Sequence, residues 1–404
     1  LAFAVDPFWG GRARQRFTDP VSGAGGIQNG GGLESQVVAP PLSGVEMGHD
    51  GIVWSEVTGK LAAARPMALA TNLTADMAAA LSDNPNYGEL FRRAFGDTQI
   101  TAARIAMAIA TNERTLIAAD TPWDRFQAGN AAAMTQGQIA GWNFFQNNNC
   151  SACHVPPLFT GNGFRNIGVR PPGEDLGRQI VTGNPADRGR FKVPSLRNVG
   201  LKNNFMHNGQ MTTLTQVIQF YTRAPGALPM FQDNLVPLMP VPVPPQVAPA
   251  LQDFLANALT DARVRNGQFP FDAPTMYGQR PADQPQILGG TGTPGSGGVV
   301  PAIIAIAPPM MGNRDFKIGL DRALGGTTAR LALSMSPPVG GRITPTWILE
   351  SEPVSGAGSG VGVATYQWPL TGAGVSPGQT WFGHWIVAVP AAADGQAWPS
   401  AAGL

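Results

Sequence analysis

Cys150-Ser151-Ala152-Cys153-His154 places both cysteines of the chain and one of its four histidines within five positions. Two thiols three residues apart on one helical turn reach the two vinyl groups of a single porphyrin. The next residue then brings an imidazole beneath the iron. The same spacing occurs in a short-loop disulfide, a redox dithiol and half of a zinc site. A four-ligand zinc site needs a second CxxC or a histidine pair, and the sequence has neither. A redox dithiol is expected in a strand-helix-strand setting. Here the motif follows a helical segment, 135–148, and runs into a proline-rich loop. Attachment of haem c to Cys150 and Cys153, with His154 as an axial ligand, is therefore the expected chemistry. Haem c is attached outside the cytoplasm, so a periplasmic, extracellular or cell-surface location is expected.

The elements that must position this motif are helical. TADMAAALSD opens on a Thr-x-Asp cap signal, and NPNYGELFRRAFGD and QITAARIAMAIATNERTLIA repeat apolar residues at i, i+3, i+4. In the last of these, Ile100, Ala103, Ile105, Ile109 and Leu116 form the expected buried stripe. Further helices are predicted at 213–223 and about 245–260, joined by a proline-studded connection over 224–244. Residues 1–60 read as glycine-rich and irregular, and 155–210 as a long loop-rich stretch.

Near residue 270 the helical period stops. VVPAIIAIA, ARLALSMS, TPTWILES, ATYQWPL and TWFGHWIVAVP are short β-rich runs separated by Gly/Pro/Ser turns, the pattern of an antiparallel β-sandwich. GGTGTPGSGG, 289–298, has the composition of a flexible linker. His384, among alternating aromatic residues, reads as a structural histidine of a strand. The expected organisation is a loop-rich segment, 1–72, a mainly α, cytochrome c-like haem domain with long loops, 73–268, a linker, 269–298, and a β-sandwich domain, 299–404.

Composition narrows the function classes. A formal net charge of +1 over 404 residues gives no global field directed at nucleic acid. No run of 18 apolar residues is present, so no membrane span is expected. Gly (51) and Pro (37) make about a fifth of the chain, which predicts extensive irregular backbone short of disorder.

The blocks CSACHVPPLFTGNGFRNIGV, EDLGRQIVTGNPADRGRFKVPSLRNVGL and NFMHNGQMTTLTQVIQFY resemble the second haem domain of bacterial di-haem cytochrome c peroxidases, including the MauG-type branch. Upstream, DPFWGGRA and LESQVVAPPLSGVEMG resemble the segment joining that family's two haem domains. The likeness covers about residues 1–265. It implies that His154 is the proximal ligand of the C-terminal haem and that Tyr221 takes the opposite face, where the peroxidases place Met and MauG-type members Tyr. Met206 and Met211 are the competing ligands. It also implies that Trp9 lies between two haems, and that Gln36, Pro40 and Glu46 line the peroxide-binding pocket of the N-terminal haem. Glu46 would then move a proton between the peroxide oxygens, with Gln36 holding the peroxide in place. Taken without the resemblance, Trp9 is a packing anchor, Glu46 a surface acid and Tyr221 a core aromatic. His207, Arg178, Arg197 and Lys192 are candidate partners of haem propionates. His49 is expected to rim the distal pocket or meet solvent.

Two departures from the family pattern shape the expectations. The chain has a single CxxCH, begins eight residues before Trp9 and opens without an initiator Met or a signal peptide. A preceding segment with a second haem is expected, on the argument that Gln36, Pro40 and Glu46 have no evident use without it. The family's calcium turn reads Lys202-Asn203-Asn204, and a lysine side chain opposes a cation, which puts calcium in doubt. The implied function is peroxide reduction, or use of peroxide or dioxygen to oxidise a partner. Electrons would come through the His154 haem from a small donor such as a cytochrome c or cupredoxin. A single-haem electron carrier or assembly subunit, and a dioxygenase of the rubber-oxygenase type, are the competing readings. The β domain carries no nameable site and is expected to dock to a surface, a partner or the haem domain.

Overall fold

The computed structural model describes residue 3 and residues 5–49, 51–171, 173–222, 230–231, 242–280, 293–294, 298–305, 316–340, 342–370, 374–376 and 379–388, with the backbone of 396–397 and 402–403. Most of 289–298 and of 224–244 lies outside these residues. The chain divides into a helical unit, 1–68 with 74–273, and a β unit, 69–73 with 274–404.

In the helical unit, residues 1–60 are less irregular than expected: they contain α1, Gly32–Val37, and α2, Trp54–Ala63. Then come α3, Ala75–Ala80, α4, Tyr87–Phe95, and α5, Ala102–Thr115. The face of α5 that packs inward is not the expected stripe. Ala102, Ala106 and Ala110 are buried at i, i+4 spacing, while Ile109 is 44% and Leu116 39% exposed; Ile100, Ala103 and Ile105 are half-buried. Small alanines let α1 approach closely, and Glu34 of α1, 2% exposed, then receives a two-pronged ion pair from Arg114 at 2.7 and 2.8 Å. Branched residues at those three positions would hold α1 too far away for that pair to form.

The motif is carried by α6, Pro122–Gln127, α7, Gln136–Asn147, and the one-turn α8, Cys150–Cys153. Thr121 starts α6 and Thr135 starts α7, each in a reciprocal capping box, with Asp124 and Gln138 respectively. Such caps satisfy backbone N–H groups that a helix start leaves open. The stretch 155–210 is loop-rich as expected, with α9, Gln179–Thr182, and a two-residue antiparallel pair, β1, Phe164–Arg165, with β2, Phe191–Lys192. α10 spans Leu214–Thr222. The helix expected over 245–260 is α11, Ala248–Asp253, which widens into a single π turn, Phe254–Ala258, before α12, Ala262–Arg265. Its core gathers Trp123, Trp142, Phe145, Phe159, Ile218, Leu251 and Phe254, with Cys150 and Tyr221 packed against them.

Among its described residues the β unit holds two antiparallel sheets. One orders β3, Ala302–Ile304, β4, Lys317–Gly325, and β7, Gly358–Gln367. The other is built on β5, Thr328–Ser334, β6, Trp347–Pro353, and β8, Phe382–Ala388, with β9, Gln396–Ala397, and β10, Ala402–Gly403, paired to β8. Ile318 and Leu320 of the first sheet and Leu331 and Trp385 of the second share one core. β4 has no counterpart among the β runs read from the sequence. Its apolar alternation slips from Ile318 and Leu320 to Ala323 where Arg322, at φ 57°, forms a bulge. A bulge moves the inward set by one residue and hides the period of two.

Candidate functional site

Cys150, Cys153 and His154 open together onto a cavity of about 460 Å³ in the helical unit. α7 delivers them: it packs against α11 so closely that a Cβ on Gly141 would overlap the Ala250 carbonyl. The thiols are free and half-buried. Burial, and then the neighbouring Cys153, push the Cys150 thiol up to about 11. A redox dithiol or a zinc half-site needs the reverse shift, toward thiolate.

His154 Nδ1 lies 3.1 Å from the Phe159 carbonyl oxygen and 3.0 Å from that of Pro194. Carbonyls only accept, so Nδ1 carries the proton and Nε2 keeps its lone pair. Burial first of all holds the ring's pKa below its ordinary value, against those two carbonyls. The result is a neutral, oriented imidazole with one free donor atom, the state a metal ligand requires.

From α10, Tyr221 lines the same cavity. Burial, then both cysteines, raise its pKa. No hydrogen bond of its hydroxyl occurs among the described residues. Met206 also lines the cavity, whereas Met211, 1% exposed, does not and packs behind its wall with Val169 and Phe220.

Trp9 is brought to the cavity rim because its carbonyl accepts from Lys192 N at 2.8 Å, which lays residues 8–10 beside β2. His207 stacks on Phe191 at 3.5 Å between centroids and meets Trp9 edge-on at 6.5 Å. His207 and Lys192 are half-buried, and burial lowers the pKa of both. Of the four candidate propionate partners, His207, Lys192 and Arg197 line the cavity. Arg178 is turned instead over the Phe164 ring at 3.7 Å and toward Asp6. Arg165, Arg170 and Lys202 also line the cavity, beyond the four expected propionate partners. Nothing local marks a loop cation as cavity-facing; only the β1–β2 pair brings Arg165 round.

Gln36 and Glu46 are not part of this cavity. Gln36 sits on α1 with its side-chain oxygen buried and without a hydrogen-bond donor. Glu46 follows the turn Pro40–Leu42 and accepts from Arg12 at 2.7 Å. His49 is exposed, 2.9 Å from Glu56.

Residues 1–132 match the family model described as di-haem cytochrome c peroxidase. A cytochrome c551 peroxidase of Nitrosomonas europaea is 34% identical over 168 residues, 41% of this chain and 49% of that protein. The helical unit is similar to members of the di-haem cytochrome c peroxidase and MauG family. The methylamine utilization protein MauG of Methylorubrum extorquens, a second relative in that family, is 35% identical over 160 residues, 38% of this chain and 44% of that protein. A solved structure of a MauG-like protein associated with microbial copper homeostasis aligns at 23% identity and a TM-score of 0.45, over 60% of this chain and 71% of that one. The chain spans about half the length of the curated relatives it matches. Among the described residues, no helix is long and apolar enough to cross a membrane.

Proposed function

We propose that this chain is a c-type haem protein of the peroxidase type, which reduces peroxide or uses it to oxidise a partner. A small donor protein such as a cytochrome c or cupredoxin would supply the electrons, in the periplasm or at the cell surface. The observation that carries this reading is the convergence of two free thiols, a His154 ring with its Nε2 lone pair free and the Tyr221 hydroxyl on one cavity.

The donor set fits haem c. Cys150 and Cys153 would form the thioethers, His154 would be the proximal ligand, and Tyr221 would stand on the opposite face. The group, when bound, supplies the redox-active iron. A phenolic oxygen is a harder donor than a thioether, so Tyr221 would favour the ferric state. Lys192 and Arg165 would pair with propionates. Trp9, at the rim, would connect this haem to a second one, in whose pocket Glu46 would carry the proton and Gln36 would orient peroxide. The cytochrome c-like domain, 73–268, would thus be the electron-delivering half, and the β-sandwich, 299–404, a docking module. The low charge content and the added β module suit a second reading, a one-haem electron carrier or assembly subunit.

Expression with a cytochrome c maturation system tests the first claim. The product is expected to show a Soret band and to keep haem on a denaturing gel, and a Cys150→Ser, Cys153→Ser double variant to lose both. Colourless protein, or a Cys150–Cys153 disulfide, would overturn it. A count of haems by intact mass, made on the product of the complete coding sequence, separates the two readings: two for the peroxidase, one for the carrier.

A further inference from the structure

Three successive carbonyls, those of Pro157, Leu158 and Phe159, are all taken up by one short segment, 194–197. Arg197 Nε donates to Pro157 O at 2.8 Å, Ser195 Oγ to Leu158 O at 2.6 Å and Leu196 N to Phe159 O at 3.3 Å. The rest of the Arg197 fork is anchored elsewhere. Nη1 and Nη2 donate to the two oxygens of Asp124 at 2.8 and 2.7 Å, and Nη1 also to Ala118 O at 2.8 Å. Asp124 is itself fixed in the cap of α6 by Thr121. The two side chains are only 14% and 20% exposed. Burial pushes the Asp124 pKa up, but Arg197 and Thr121 outweigh it and hold the group below its ordinary value, as an anion.

His154 lies across this junction. Its Nδ1–H faces one carbonyl from each segment, Phe159 O and Pro194 O. The spacing between the segments therefore sets both hydrogen bonds at once.

The geometry points to Arg197 as a positioning residue for His154. Through Pro157 O and Asp124 it holds two carbonyls in register about Nδ1–H, and thereby sets how strongly the imidazole donates at Nε2. The inference rests on the proposed role of His154 as a haem ligand. A firmer Nδ1–H bond makes Nε2 the more basic donor and favours the ferric state. Four N–H groups of Arg197 are spent inside the protein, which fits a strut better than a propionate partner.

Arg197→Lys keeps the charge and loses the fork. In the holoprotein it is expected to shift the midpoint potential of the haem to more positive values. It is also expected to speed solvent exchange of the His154 Nδ1 proton, followed by nuclear magnetic resonance, by about fivefold, as befits one weakened hydrogen bond. Asp124→Asn should act in the same direction and by less. Ser195→Ala, which frees Leu158 O and the Arg197 backbone N–H but leaves the guanidinium contacts in place, gives a milder version if Arg197→Lys does not fold. Wild-type exchange in all three variants would overturn the positioning role, and faster exchange at an unchanged potential would overturn the tuning. Exchange of Nδ1–H can be read without haem, so a wild-type chain that takes up no haem would refute the ligand reading of His154 and still leave the strut decided.

Discussion

A buried tyrosine hydroxyl that makes no hydrogen bond costs free energy unless another partner completes it. The Tyr221 hydroxyl, on a half-buried side chain, makes no hydrogen bond among the described residues and lines the same cavity as the free nitrogen of His154. If it completes an iron coordination shell, Tyr221→Met is expected to raise the potential of the haem on the order of 100 mV, since axial ligands tune haem over a wide range. Redox titration checks this, and an unchanged potential would exclude Tyr221 as a ligand. Glu46 presents a different case. Its ion pair with Arg12 is half open to solvent, with side chains 30% and 49% exposed. A pair of that kind contributes little stability, so the carboxylate is free to serve chemistry. If Glu46 carries a proton at a second haem, Glu46→Gln is expected to cost peroxide turnover about two decades, with thermal stability unchanged. Both residues are nameable from the order of the sequence blocks. The two carbonyls that fix the His154 tautomer are not, because a backbone acceptor has no side-chain signature.

Helices α7 and α11 bring the thiols to the cavity, and their crossing depends on the absence of one methyl group. Gly141→Ala would drive a Cβ into the Ala250 carbonyl. It is expected to cost about 1–3 kcal/mol by overpacking, measured as a lower unfolding midpoint, with haem retention falling alongside. The start of α7 was legible as a helical segment from residue 135, whereas α6 and the close crossing were not, since a lone glycine mid-helix reads only as a weak helix former. In the β unit, His384 is 1% exposed, and burial, with Arg342 second, depresses its pKa to about 4. The unfolded chain therefore binds more protons than the folded one between about pH 6.5 and pH 4. Stability should fall as pH drops through that window and level off below it, a loss of up to about 3 kcal/mol. Denaturant unfolding followed through the fluorescence of Trp347, Trp368 and Trp381 at pH 7 and pH 4.5 measures the effect, which His384→Asn should largely remove.

Over the whole molecule the charge is balanced but unevenly placed. Residues 155–210 contain eight Lys and Arg against three Asp and Glu, while the complete chain sums to +1. That segment supplies much of the cavity wall, including Arg165, Lys192 and Lys202. A local positive field of this kind steers anions at low salt and is screened over roughly 10 Å at about 0.1 M. An acidic donor protein is therefore expected to reduce the haem faster at low ionic strength than at high. A basic cytochrome c should show the reverse trend, and stopped-flow reduction across a salt series distinguishes them. A flat salt dependence with both donors would place electron entry elsewhere.

The haem motif, the helical-then-β order and the candidate ligands could be read from the chain because each is local: a spacing, a period or a short block carries it. Tertiary structure alone decided which side chains share the cavity, which cations face it rather than an acid or a ring, and which face of α5 turns inward. Those outcomes depend on distances between segments far apart in sequence, set by close backbone contacts such as Gly141 on Ala250 and by carbonyls gathered across loops. No residue type or spacing along one segment encodes such a distance.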